Sequence, residues 1–254
     1  MKIIDCNRET VYKILNAAFN SLETRPKIIE LGVLRGDNAI SLFEFLSPIS
    51  LHLVDVWSSQ PQIDYRTINR SRDWVSDPSE FDTYFGGSVY DQATFDRIYD
   101  SVLKRFKDKE NIEIIRASTS DAYQMLSHSQ FDLIYVDANH QYESVLDDLI
   151  NFSKLLTTNG VLQLNDCCHS DLGVKQNLGV LEAAVKFCKM SGFVPLLLTN
   201  SDWSDVLLVH KNSQLAKLID QVVVGSSLRF VEIPDQLLGA AIVRQGKLKN
   251  LSFL

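Results

Sequence analysis

The chain has 254 residues, 45% of them hydrophobic and 22% charged, and its formal net charge is −7, with an isoelectric point near 5.2. This size and apolar content predict one compact intracellular protein with a sizeable core. The acidic balance argues against nucleic acid as a partner, because phosphate binding needs clustered lysines and arginines. No apolar run has the length of a membrane span or the form of a signal peptide. We therefore expect a cytoplasmic protein with a small-molecule ligand and no membrane partner.

Helix and strand signals alternate along the chain. Apolar residues recur at helical spacing in residues 9–22, which predicts a helix that covers a sheet. Strands are predicted at residues 27–31, 51–56, 112–116, 133–136, 160–164, 193–198 and 206–210. Further helices are predicted at residues 37–46, 92–106, 120–126, 142–156 and 179–190. This alternation predicts an α/β fold with a doubly wound, mostly parallel, seven-stranded sheet.

A glycine turn follows the first of these predicted strands. Glu30, Gly32 and Gly36 form the pattern Glu-x-Gly-x-x-x-Gly, and an amphipathic helix begins directly after it. Gly32 lets the backbone leave the strand sharply, and Gly36 lets the helix begin close to a ligand. The pattern is neither that of a dinucleotide site nor that of a phosphate loop. It predicts a nucleotide-binding turn without a phosphate clamp.

Acidic residues end two later strands. Asp55 closes the second predicted strand, and Asp137 closes the fourth. Parallel strands point their carboxyl ends at one crevice, so we expect Glu30, Asp55 and Asp137 to share its rim. One carboxylate can accept hydrogen bonds from both hydroxyls of a ribose, and a negative charge suits a cation. S-adenosylmethionine carries both a ribose and a positive charge and is therefore the expected cofactor.

Two segments resemble a known enzyme family. Residues 30–36 resemble motif I of class I S-adenosylmethionine-dependent methyltransferases. Residues 131–149 contain Asp-x-x-His-x-Tyr and resemble small-molecule O-methyltransferases, which include macrolide-sugar enzymes and, more distantly, catechol O-methyltransferase. The likeness covers about residues 25–211. It implies a Rossmann-like methyltransferase fold with an antiparallel last strand. The cofactor contacts expected from these motifs are Glu30, Gly32, Gly36, Asp55, Ser118 and Asp137.

Polar residues at the ends of two neighbouring strands predict a metal site. Asp137 ends one strand, and Asn165 and Asp166 follow the next. Oxygen ligands of this kind favour Mg²⁺ or Mn²⁺, and the resemblance implies that Asp137 and Asp166 hold such an ion. The macrolide-sugar enzymes have two acids at the second position, so here Asn165 would contribute a neutral oxygen. The alternative is that both acids only hold loops through backbone hydrogen bonds.

His140 and Asp137 are the predicted catalytic residues. An imidazole titrates near neutral pH, and His140 lies three residues beyond Asp137, which suits a general base. Its alternative role is to cap the following helix. Asp121 is expected to be a helix N-terminal acid, and His169 a surface histidine. Together the motifs predict metal-assisted O-methylation of a sugar, a phenol or another small hydroxylated metabolite.

Two other functions stay open from the sequence. One is a non-catalytic S-adenosylmethionine-binding protein that acts through oligomerisation, and the other is a nicotinamide-dependent reductase. Binding of S-adenosylhomocysteine, its response to Mg²⁺ and competition by NADH would separate these functions.

Two segments lie outside the predicted chemistry. Residues 58–93 are a polar, aromatic-containing insert that could be a lid over the site, a surface ornament or an oligomer contact. We divide the chain into a methyltransferase domain, 1–211, and a C-terminal extension, 212–254. Apolar stretches at 218–224 and 237–243 could pair as a hairpin against the sheet edge or against a second copy in a homo-oligomer.

Overall fold

The computed structural model describes residues 1–68, 79–171, 173, 178–201, 203–244 and 250–253, with side chains described outside 65–68 and 79–81. The strands are β1 Lys2–Ile4, β2 Lys27–Leu31, β3 Ser50–Asp55, β4 Ile112–Arg116, β5 Phe131–Val136, β6 Leu156–Leu164, β7 Phe193–Thr199, β8 Val206–His210, β9 Phe230–Glu232, β10 Ile242–Arg244 and β11 Asn250–Ser252. The α-helices are α1 Arg8–Ser21, α2 Asp37–Leu46, α3 Gln60–Ile68, α4 Ser79–Phe85, α5 Gln92–Phe106, α6 Thr119–Met125, α7 Tyr142–Phe152, α8 Val180–Met190 and α9 Gln214–Val224.

Within the described residues, nine strands form one sheet in the order β4-β3-β2-β5-β6-β8-β7-β1-β9. β2 pairs in parallel with β3 and β5, whereas β8 runs antiparallel to β6 and β7. The predicted α/β class, with its mostly parallel sheet and antiparallel last strand, is confirmed. The predicted number of seven strands is wrong, because β1 and β9 extend the edge beyond β7. Each has only three residues, too few to show an alternating pattern.

Helices cover both faces of this sheet, as predicted for a doubly wound fold. One hydrophobic core joins the sheet to α1, α2, α5 and α9. The other joins it to α6, α7 and α8. The chain reaches β3 and β4 on one side of β2 and then crosses to β5 on the other side. In such a sheet the crevice lies at the carboxyl ends of the strands where the direction reverses, here β2 and β5.

The predicted insert and C-terminal extension contain helices. α3 and α4 lie within the insert, whereas 69–78 are outside the described residues. The predicted hairpin is wrong, because 218–224 belong to α9 and residues 235–240 form a 3₁₀ helix. β9 instead adds to the sheet edge, and β10 pairs with β11. The domain boundary at residue 211 stays a prediction.

Among the described residues, the structure contains no helix with the length and apolar character required to cross a membrane.

Candidate active site

The glycine turn between β2 and α2 follows the backbone path that its sequence predicts. Gly32 has φ 87° and Gly36 has φ 77°, in the left-handed region that favours glycine. A Cβ atom on Gly32 would lie 2.6 Å from the Cα of Ala138, so this glycine lets β2 and β5 end side by side. A Cβ on Gly36 would lie 2.7 Å from the Phe106 ring. Both glycines therefore accommodate neighbouring parts of the chain itself.

Asp55, at the end of β3, is held by the backbone of the glycine turn. Its Oδ2 accepts hydrogen bonds from the amides of Val33 and Leu34, both at 2.9 Å. Its Oδ1 accepts one from the amide of Trp57 at 2.8 Å. Burial raises the pKa of Asp55, and the backbone donors partly offset that effect. A carboxylate has about four lone-pair positions, so Asp55 supports the turn and keeps acceptor capacity for a ligand.

Glu30 is a buried acid with one side-chain oxygen lacking a partner. The side chain is 1% exposed, its Oε1 accepts a hydrogen bond from Asn38 Nδ2 at 3.0 Å, and its Oε2 has no partner. Burial raises the pKa of Glu30 to about 8, with smaller increases from the charges of Asp137 and Asp55. The other two predicted rim carboxylates, Asp137 and Asp55, therefore lie within electrostatic range of Glu30. A buried polar atom without a partner is costly, which suits a ligand that donates a hydrogen bond.

Asp137, His140 and Asp166 form a compact cluster past the ends of β5 and β6. His140 Nε2 lies 3.0 Å from Asp137 Oδ1 and 3.4 Å from Asp166 Oδ2. One ligand atom from each residue lies within 4.8 Å of the other two, which is close enough for one metal ion. The structure thus brings the predicted ligands Asp137 and Asp166 together with the predicted base.

The cluster brings the imidazole of His140 close to the carboxylates of Asp137 and Asp166. The pKa of His140 rises to about 9, because the Asp137 hydrogen bond and the Asp166 and Asp137 charges outweigh burial, which lowers it. The pKa of Asp166 rises to about 6, chiefly through burial, although the neighbouring His140 lowers it. Asp166 also has φ 57°, a left-handed conformation that is rare outside glycine and that often marks functional sites.

Asn165 adjoins the cluster but presents its amide nitrogen to it. Nδ2 donates to Asp166 Oδ1 at 2.7 Å and to Asp137 Oδ1 at 3.2 Å. Oδ1 accepts a hydrogen bond from Arg8. An amide nitrogen does not ligate Mg²⁺, so this orientation argues against the predicted ligand role of Asn165, which stays a prediction.

Ser118 caps the helix that follows β4. Its Oγ accepts a hydrogen bond from the Asp121 amide at 3.1 Å and donates one to Asp121 Oδ2 at 2.7 Å. Asp121 lies in the first turn of α6, as predicted for a helix N-terminal acid. The adenine contact expected of Ser118 stays a prediction.

Three residues near the cluster were missed from sequence. Arg8 and Asp205 form an ion pair beside Asn165. The pKa of the Tyr84 phenol is raised chiefly by burial and also by the negative charges of Asp137 and Asp166. Tyr84 belongs to α4, and the Arg35 guanidinium lies 5.2 Å from its ring centroid. No local motif marks these residues, because their partners are dozens to nearly two hundred positions away.

Comparison with known proteins supports the same fold. The O-methyltransferase of Bacillus cereus, solved in complex with SAH, has 16% identity and a TM-score of 0.52, covering 82% of this chain and 83% of that one. Cofactor-bound Rv0187 from MTB has 15% identity and a TM-score of 0.52, covering 81% and 82%. SAH-bound PaMTH1, a methyltransferase of Podospora anserina, has 15% identity and a TM-score of 0.50, covering 79% and 77%.

At these identities the structural likeness establishes the fold alone. No curated protein matches the chain in sequence. A family model described as "Methyltransferase domain" matches residues 29–167, more than half of the chain. That match spans the glycine turn and the cluster of Asp137, His140 and Asp166, and the chain therefore belongs to the methyltransferase domain family.

Proposed function

We propose that this protein is an S-adenosylmethionine-dependent O-methyltransferase that acts, with a divalent cation, on a sugar, a phenol or another small hydroxylated metabolite. The observation that carries the proposal is the cluster of Asp137, His140 and Asp166 at the strand ends beside the glycine turn. It combines a base with acids that suit a cation, next to the expected cofactor crevice. The SAH-bound O-methyltransferase among the structural neighbours supports the cofactor assignment.

The cofactor would lie across the ends of β2, β3 and β5. The unpartnered Oε2 of Glu30 fits a donor group of the ligand, and Asp55, with three of its about four lone-pair positions used, keeps one for a ribose hydroxyl. We propose that the backbone at Gly32 and Gly36, Ser118 and Asp137 complete this site. When bound, S-adenosylmethionine supplies a methyl group on a cationic sulfur.

Asp137 and Asp166 would hold the cation. Carboxylate oxygens suit Mn²⁺ or Mg²⁺, and the oxygens of Asp137 and Asp166 lie within 4.8 Å of each other, close enough for one ion, which leaves His140 as the base. When bound, the cation would lower the pKa of an acceptor hydroxyl. Asp137 and Asp166 contribute the negative charge that holds it.

His140 removes the proton from the acceptor hydroxyl. The carboxylates on either side would stabilise the resulting imidazolium, but they also raise the pKa of His140 to about 9, so the unprotonated base requires a pH near 9 or a cation that offsets their charge. Bound S-adenosylmethionine would supply its methyl group to the acceptor oxygen and would leave as neutral S-adenosylhomocysteine, with the electrons of the broken carbon–sulfur bond on sulfur. The crevice contributes by aligning oxygen, carbon and sulfur.

Calorimetry tests this proposal. S-adenosylhomocysteine is titrated into the protein with and without Mg²⁺, and then into Asp137→Ala. We expect binding in the wild type, a response to Mg²⁺, and loss of that response in Asp137→Ala. Methyl transfer is then followed with radiolabelled cofactor on a panel of phenols and sugars. Binding without a metal response would exclude the metal-assisted mechanism, and binding without transfer to any acceptor would favour a non-catalytic binding protein.

A further inference from the structure

Arg8 lies at the start of α1, next to the carboxylate cluster. Its Nε donates to Asp205 Oδ2 at 2.9 Å, and one terminal nitrogen donates to Asp205 Oδ1 at 3.2 Å and also to Asn165 Oδ1. The guanidinium lies 5.3 Å from the centroid of the Tyr135 ring. A cation in the first turn of a helix is disfavoured by the helix dipole. The position of Arg8 is therefore stabilised by Asp205, Asn165 and Tyr135.

The partners of Arg8 are themselves held in place. Asp205 is 3% exposed, and its Oδ2 accepts a second hydrogen bond from Gln163 Nε2 at 2.7 Å. Asn165 is 9% exposed and directly precedes Asp166. Side chains packed this tightly have few alternative positions. The guanidinium is therefore directed at Asn165 by a buried carboxylate.

An arginine side chain donates hydrogen bonds and cannot accept them. The group that Asn165 turns toward Arg8 must therefore be its carbonyl oxygen, and its amide nitrogen must face the opposite way. On that side lie Asp166 Oδ1 at 2.7 Å and Asp137 Oδ1 at 3.2 Å. A flipped amide would direct two N–H groups at a guanidinium and an oxygen at two carboxylates, so both contacts would become repulsive.

We propose that Arg8 is a positioning residue of the cation site: it fixes Asn165 as a hydrogen-bond donor that holds Asp137 and Asp166 side by side. This inference rests on the proposed function for the role of the two acids. It differs from the role implied by the family resemblance, in which Asn165 would itself bind the ion through its oxygen. The two roles differ in their prediction for cation affinity when Asn165 loses its hydrogen bond to Arg8. A donor role predicts weaker binding, whereas a ligand role predicts unchanged or tighter binding.

Arg8→Lys separates the two roles. Lysine keeps the positive charge for Asp205, but its point-like ammonium cannot form the paired contact with Asp205 and also reach Asn165. Loss of a residue that orients metal ligands typically weakens metal affinity by about 10–100-fold. We expect the dissociation constant for Mn²⁺, measured by electron paramagnetic resonance, to rise about tenfold, with S-adenosylhomocysteine affinity within about twofold of wild type. An Mn²⁺ affinity that is unchanged or tighter in Arg8→Lys would overturn the proposal.

Arg229→Lys is the matched control, because Arg229 also pairs with an aspartate, Asp5, but its side chain is 88% exposed. It should leave Mn²⁺ affinity unchanged. Circular dichroism of each variant reports whether it is folded.

A second measurement does not require the wild type to bind a metal. In protein labelled with ¹⁵N at asparagine, the side-chain NH₂ signals of Asn165 are assigned by their absence in Asn165→Ser. We expect slow hydrogen exchange of these signals in metal-free wild type and faster exchange in Arg8→Lys. If wild type binds no Mn²⁺, the metal part of the proposed function fails, while this exchange difference still supports the role of Arg8. Fast exchange in wild type itself would overturn that role, even if Arg8→Lys does not fold.

Discussion

Asp55 ends β3 and Asp166 follows β6 in the same sheet, and burial raises the pKa of both, but they are held in different ways. Asp55 accepts hydrogen bonds from three backbone amides of fixed position. Asp166 is surrounded by the side chains of Asn165 and His140 and by a second carboxylate, that of Asp137. Backbone donors fix a turn, whereas side-chain partners can be exchanged for a ligand. The first arrangement fits the proposed role of Asp55 in shaping a cofactor crevice, and the second fits the proposed role of Asp166 in binding a cation.

The largest effect on the glycine turn around Asp55 is expected from Gly32→Ala. A Cβ there would collide with the backbone of Asp137 and Ala138, and φ is 87°, so we expect a loss of about 3 kcal/mol or more of unfolding free energy. Gly86→Ala is the control, because φ is 75° but no atom lies within 4 Å of the added Cβ. It should cost about 1–2 kcal/mol. Equal losses in urea denaturation would show that the collision at Gly32 is unimportant.

Asp166→Asn tests the cluster of Asp137, His140 and Asp166. Asparagine tolerates the left-handed conformation of this residue, so the fold should be retained. Removing one of two neighbouring carboxylates should keep or raise the melting temperature at about pH 8, while Mn²⁺ affinity and methyl transfer fall on the order of 10²-fold. If Asp166→Asn retained methyl transfer but lost stability, Asp166 would have a structural role like that of Asp55.

Asp55→Asn should lower the stability of the fold, in contrast to Asp166→Asn. An asparagine offers one oxygen where the carboxylate offers two, so at least one backbone amide of the turn faces an NH₂ group. We expect a loss of about 1–3 kcal/mol in unfolding free energy. Asp91→Asn is the control, since Asp91 caps α5 and asparagine caps helices about as well. Chemical denaturation of both variants measures the difference, and equal stability would contradict the role of Asp55.

Asp148 provides a smaller, pH-dependent test away from both regions. This buried residue of α7 has its pKa raised to about 7, chiefly by burial. A carboxyl group whose pKa is raised in the folded state adds stability that is complete below its unfolded pKa, about 4, and is lost as the pH rises through its folded pKa. The stability of Asp148→Asn relative to wild type should therefore rise between about pH 4 and 7 and stay constant above that range.

Melting temperatures across this pH range measure the effect. Glu143→Gln, at an exposed position of the same helix, is the control, because Asp147 itself raises the pKa of Asp148; the melting curve of this control should follow that of wild type. A parallel curve for Asp148→Asn as well would show that Asp148 is not the group responsible.

The smallest effect on stability is expected at Tyr84, which is 60% exposed. Tyr84→Ala should change unfolding free energy by no more than about 0.5 kcal/mol. If the insert is a lid, the KM for the acceptor should rise while S-adenosylhomocysteine affinity is retained, because the phenol lies within range of the Asp137 and Asp166 charges. An unchanged KM would favour the surface-ornament alternative.

Local signals predicted the elements that form the site. The strand, glycine turn and helix at 27–46 and the strand at 112–116 have the predicted bounds. The same signals misled at α9, where the apolar stretch at 218–224 suggested one half of a hairpin. Leu215, Ile219 and Val223 are buried at intervals of four residues, and this helical spacing was the overlooked signal. At β1 and β9 no local signal existed, since each strand is formed by pairing with residues far away in the chain.

The sequence alone determined the strands and helices around the site, the glycine turn and the acids at the strand ends, because hydrophobic periodicity and glycine conformations are local properties of the chain. Only the tertiary structure decided that Arg8, 157 positions from Asn165 in the chain, directs its amide, and that Asp55 supports the turn. Hydrogen-bond direction depends on which donors and acceptors the fold brings together. That pairing is not encoded in the spacing of any short motif.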